Sequence, residues 1–110
     1  MKTYVFDLDG TLCTRVSDGN YMNAQPVMER INKVNNLFEE DNKIIICTAR
    51  GMGRHNNDLR SAYDEFYDLT IDQLLLWGLK YHELHLGKPS GDVYIDDKGM
   101  KDEDFFNTRN

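Results

Sequence analysis

The segment Val5-Phe6-Asp7-Leu8-Asp9-Gly10-Thr11 limits what this chain can fold into more than any other stretch. The apolar run Tyr4-Val5-Phe6 stops at two carboxylates that bracket a single residue. In extended backbone, side chains two positions apart leave the same face. Asp7 and Asp9 therefore converge at the end of a buried strand expected over Thr3 to Phe6. Gly10 lets the backbone turn sharply beyond them. Two carboxylates this close repel each other unless a cation or a shared proton intervenes. The pattern asks either for a hard cation such as Mg²⁺ or for a nucleophile beside a general acid.

The 110 residues suffice for one domain, taken as 1–110, with one modest core. A formal net charge of -6 argues against broad binding to nucleic acid or to an anionic membrane, which need a basic face. It leaves room for an anionic substrate, because a bound metal or a local Lys or Arg can reverse the sign inside a pocket. Cys13 and Cys47 are expected as reduced thiols, with Cys47 a small core residue beside Ile44-Ile45-Ile46. No apolar run approaches the roughly 20 residues needed to span a bilayer. With a strand at the N-terminus and no targeting peptide in view, the cytoplasm is the expected location.

Along the chain, polar residues from Cys13 to Gln25 predict an extended loop or small flap. Pro26 suits the first turn of a helix, and Val27, Ile31, Val34, Leu37 and Phe38 recur at helical spacing up to Glu40. Lys43 to Cys47 is a β-branched run and predicts a buried strand. Leu59, Ala62, Tyr63, Phe66 and Tyr67 again have helical periodicity. Thr70-Ile71-Asp72-Gln73 has the form of a capping box, so a separate helix is expected from Ile71 to Trp77, stopping at Gly78. Glu83 to Leu86 predicts a weak strand, Val93-Tyr94-Ile95 a stronger one ending in Asp96-Asp97, and Glu103 to Phe106 a short helix. Alternating strands and helices imply a parallel sheet in an α/β fold. Ligands then bind outside the carboxyl ends of the strands, where Asp7/Asp9, Thr48 and Asp96/Asp97 would meet.

The four clusters, in this order, resemble the motifs of haloacid dehalogenase (HAD) superfamily phosphatases over nearly the whole chain. Asp7-Leu8-Asp9-Gly10-Thr11 is similar to the first motif, DxDGT, Thr48 to the second, Lys88 in Gly87-Lys88-Pro89 to the third, and Asp96-Asp97 to the fourth. The resemblance implies a Rossmann-like three-layer α/β/α sandwich with a short, mostly parallel sheet. It implies Asp7 as nucleophile, forming an aspartyl-phosphate, and Asp9 as the acid and base. Thr48 and Lys88, with the backbone N–H groups of Leu8 and Ala49, would bind the phosphoryl group. Mg²⁺ would be held by Asp7, the Asp9 carbonyl and Asp96, with Asp97 in support or exchanging roles with Asp96.

Other residues are less determined. Arg50 either reaches a second part of the substrate or pairs with a carboxylate on the same rim. Arg54 is a further substrate-contact candidate, and Tyr21 is either another contact or an exposed aromatic of the flap. His82 and His85 read as packed or solvated. The intervals between motifs are too short for a cap domain, so the chain resembles the minimal, capless branch and, within it, small phosphatases of capsule or surface-polysaccharide biosynthesis. That implies a small sugar or polyol phosphate as substrate, and an open site that a homo-oligomer could cover. The alternatives are a nucleotide or polynucleotide 3′-phosphatase, which the acidic charge opposes, and a non-catalytic binding module that keeps the fold.

Overall fold

In the computed structural model, which describes residues 1–107, the β-branched run at the middle of the sequence becomes the middle strand. Strand β1 (Thr3–Phe6), helix α1 (Met28–Glu39), strand β2 (Lys43–Thr48), helix α2 (Leu59–Leu76), strand β3 (Glu83–Leu86) and helix α3 (Asp102–Phe106) follow in order. The sheet order is β1-β2-β3, and both pairings are parallel. Phe6 lies opposite Ile46, and Leu84 opposite the same residue on the other side. The strand ends bearing Asp7 and Thr48 are thereby set on one edge. This is the α/β, Rossmann-like arrangement expected from the alternating pattern.

One face of the sheet holds the core. Phe6, Ile44, Ile46, Thr48, Leu84 and Leu86 are buried there, packed with Ile31 and Val34 of α1 and Phe66 and Leu74 of α2. Each fully buried Leu or Ile contributes roughly 1.5–3 kcal/mol. Residues of the opposite parity, such as Val5 and His85, remain exposed. Helix α3 docks beside β1 through aromatic edges. The ring of Phe105 meets those of Tyr4 and Phe6, with centroids 5.9 and 5.5 Å apart. Arg30 of α1 anchors the same helix through Asp102 at 2.7 Å.

Cys47, expected in the core, has the parity of the opposite sheet face and is only half-buried, and two element readings are corrected as well. Helix α2 does not break at Thr70: it runs unbroken for 18 residues, and Ala62, Phe66, Thr70, Gln73 and Leu74 form one buried stripe. Thr70 and Gln73 are polar because they face a buried cation, described below. The helix does end at Trp77, with Gly78 beyond it. The second correction is that Val93-Tyr94-Ile95 forms no strand, and all three side chains are exposed. Local bonds compete with pairing there. The Tyr94 hydroxyl donates to the Pro89 carbonyl at 2.7 Å and accepts from the Gly91 N–H at 3.1 Å. The Asp96 carboxylate accepts from the Lys98 N–H at 2.7 Å. His82 and His85 fall where their reading put them. His82 is stacked on Phe38 and accepts from the Ile44 N–H, while His85 pairs with Glu83 at the surface.

Candidate active site

The turn after β1 is closed by one carbonyl. Leu8, fully buried, accepts from the N–H groups of Thr11, Leu12 and Cys13. Gly10, at φ +86°, supplies the left-handed step that this turn requires. Asp7 and Asp9 are thereby presented to a cavity of about 300 Å³ that Thr48, Ala49 and Lys88 also line. Lys88 Nζ stands 3.6 Å from Asp7 Oδ1, while Thr11 Oγ1 donates to Asp7 Oδ2 at 3.1 Å. The Lys88 N–H donates to the Thr48 carbonyl at 3.2 Å, which ties the segment after β3 to the end of β2. Lys88 also lies over the Tyr94 ring, 4.3 Å from its centroid. Thr48 Oγ1 accepts from the Arg50 N–H at 3.2 Å, leaving its own proton available to a ligand in the cavity.

Arg50 is not placed to touch a substrate. Its side chain is 0% exposed and forms a two-point ion pair with Asp9. Of the two roles left open for it, the carboxylate pairing is the one found. Arg50, Tyr21 and Arg54 all border the cavity. Arg54 is nonetheless engaged by Glu65 at 2.8 Å and by the Gly19 carbonyl at 2.7 Å. Tyr21 packs edge-on against Phe66, and its hydroxyl accepts from the Gly51 N–H at 3.3 Å. The loop from Cys13 to Gln25 is held at its base by bonds between Thr14 and Gln25.

Asp96 and Asp97 do not line this cavity. The hydrogen bond from the Lys98 N–H, above all, holds the Asp96 carboxyl below the usual carboxylate range. Among the described residues no three His, Cys, Asp or Glu side chains converge as a metal site. Among the described residues Asp7 and Asp9 are the only carboxylates lining the cavity, and Arg50 takes both oxygens of Asp9. As arranged, this donor set does not fit a divalent cation. Sequence reading missed four contributors. Cys13 donates to Asp9, Arg15 lines the cavity, and the pair Thr70 and Gln73 holds Arg50. The Thr-x-x-Gln spacing was visible, but a capping box and a buried clamp share it.

The fold and the strand-edge cavity together define an α/β protein with a Rossmann-like parallel sheet. Superposition on solved structures agrees. A structural-genomics target from Vibrio cholerae, for which no function is stated, matches at a TM-score of 0.88 and 26% identity, over 99% of this chain and 90% of that one. The D,D-heptose 1,7-bisphosphate phosphatase from B. bronchiseptica, crystallised with magnesium and phosphate, matches at a TM-score of 0.56 and 16% identity. That alignment spans 84% of this chain but only 52% of the phosphatase. No protein-family model and no curated protein matches the chain. No helix among the described residues is long and apolar enough to cross a membrane.

Proposed function

We propose that the chain hydrolyses phosphomonoesters of small metabolites through a phosphorylated Asp7. One observation carries this reading: Asp7, Thr48 and Lys88 come from three successive β-strand ends and face one cavity, with Lys88 Nζ 3.6 Å from Asp7 Oδ1. A carboxylate beside an ammonium group, at the carboxyl edge of a parallel sheet, suits attack on a dianionic phosphoryl group. The cavity, at about 300 Å³, fits a small ester rather than a polymer. The heptose bisphosphate phosphatase that shares the fold supports the same reaction class.

In the first half-reaction an Asp7 oxygen bonds to phosphorus as the bond to the leaving oxygen breaks. Asp9, after taking up a proton from solvent within its ion pair with Arg50, delivers that proton to the leaving oxygen. Lys88 and the Thr48 hydroxyl, with the N–H groups of Leu8 and Ala49, take up charge on the phosphoryl oxygens. Water then attacks the aspartyl-phosphate, its proton passes to Asp9, and Asp7 is regenerated. The motif Asp7-Leu8-Asp9 and the acid pair Asp96-Asp97 resemble a magnesium-binding set, but as arranged they do not fit the ion, and no step here rests on it. The magnesium in the heptose bisphosphate phosphatase crystal is a feature of that protein.

Phosphate release from a panel of sugar, polyol and nucleotide phosphates, with and without Mg²⁺, tests the reading. The wild type should turn over at least one sugar or polyol phosphate, and Asp7→Asn should abolish turnover while keeping the wild-type thermal transition. Equal release by both proteins would contradict the assignment. Preference for 3′-phosphorylated oligonucleotides would replace the metabolite with a polynucleotide.

A further inference from the structure

Arg50 commits all of its hydrogen-bonding capacity to the protein. Nε donates to Asp9 Oδ2 at 2.9 Å and Nη2 to Asp9 Oδ1 at 3.0 Å. Nη1 donates to Thr70 Oγ1 at 3.1 Å and to Gln73 Oε1 at 2.5 Å. The remaining Nη2 hydrogen faces Cys13 Sγ at 3.8 Å. A guanidinium carries five N–H donors, so none remains for a ligand.

The clamp has a second layer. Gln73 Nε2 donates to the Tyr21 carbonyl at 2.6 Å, and the Tyr21 ring covers the guanidinium at 4.8 Å. Helix α2, the loop before α1 and the end of β2 thus meet on one side chain. Burying a cation costs several kcal/mol unless its partners are well placed. Here the partner is Asp9, which is 18% exposed at its side chain and faces the cavity. Side-on, two-point pairing with a planar fork fixes the plane of a carboxylate, which a lysine cannot do.

We propose that Arg50, anchored by Thr70 and Gln73, is a positioning residue that aims the Asp9 carboxyl at the leaving-group oxygen and thereby suits the site to unactivated alkyl phosphates such as sugar and polyol esters. The inference rests on the phosphatase reading. Arg50 exchanges no proton. The proton moves from Asp9 to the leaving oxygen as that oxygen separates from phosphorus, and returns to Asp9 from the attacking water. Its delivery matters most when the departing alkoxide is strongly basic. A nitrophenolate leaves without it.

The test compares an alkyl phosphate with p-nitrophenyl phosphate, in buffer containing Mg²⁺, for the wild type, Arg50→Lys, Gln73→Leu and Asp9→Asn. Arg50→Lys keeps the charge and loses the fork. Gln73→Leu keeps Arg50 and removes one anchor. General acid catalysis is worth about 10²–10⁴-fold. Misaiming the acid in Arg50→Lys should therefore lower kcat on the alkyl ester by roughly 10–100-fold, with little change in KM and less than about 3-fold change on the nitrophenyl ester. Gln73→Leu should show a smaller loss with the same selectivity. Adding Arg50→Lys to Asp9→Asn should cost little more. Equal losses on both esters would mark a structural role and overturn the proposal, as would full additivity with Asp9→Asn. Should Arg50→Lys fail to fold, Gln73→Leu decides alone. A wild type with no Asp7-dependent release from either ester would instead overturn the phosphatase reading, and this inference with it.

Discussion

Cys13 sits beside the Asp9 carboxylate, its Sγ donating to Asp9 Oδ1 at 3.3 Å, and is held there as a neutral thiol. Burial first, and then the charge of Asp9, push its pKa from 9.0 to about 12, against a smaller opposing effect of Arg50. The folded value lies above the unfolded one, so the thiol's contribution to stability is complete below pH 9.0 and is lost as pH rises towards about 12. Chemical denaturation across that window should therefore show wild-type stability falling more steeply than that of Cys13→Ala. Parallel curves would contradict the placement of the thiol. The meeting of Asp7, Asp9 and Thr48 at one cavity was legible from their places at strand ends, and that of Lys88 from the family resemblance. The partner of Arg50 was not legible, since an arginine two residues past a strand can turn outward to solvent or inward to a carboxylate.

Each of the three strands and α1 could be read from local pattern because each needs only its own periodicity to declare a buried face. The expected strand Lys43 to Cys47 is found with one further residue, Thr48. Helix α2 was misread because a Thr-x-x-Gln sequence has the same form at a helix start and along a buried stripe. Its true start is Asp58, whose carboxylate accepts from the Ser61 N–H at 3.2 Å. An N-cap of this kind is worth about 1 kcal/mol. Asp58→Ala should lower stability by about that amount in denaturant unfolding, while Thr70→Ala, which removes an acceptor from buried Arg50, should cost more. The reverse order would restore the cap to Thr70.

At the scale of the whole molecule, the sheet places Asp7 and Thr48 on one edge and leaves residues 93–97 outside it. A strand is expected there from the apolar run alone, because a local pattern reports what a segment can form and not what lies next to it. Hydrogen exchange should find the amides of Lys43–Thr48 protected and those of residues 93–97 exchanging freely. If Asp96 and Asp97 join Asp7 around Mg²⁺, the ion should slow exchange at 93–97. An unchanged pattern at saturating Mg²⁺ would remove both from the ligand set.

The central claim is that Asp7 becomes phosphorylated, and acid quenching of a single turnover followed by peptide mass spectrometry measures it directly. The account predicts a phosphoryl group on the peptide carrying Asp7, formed and lost at rates consistent with turnover and absent in Asp7→Asn. Turnover without any such adduct, or an adduct elsewhere on the chain, would contradict it.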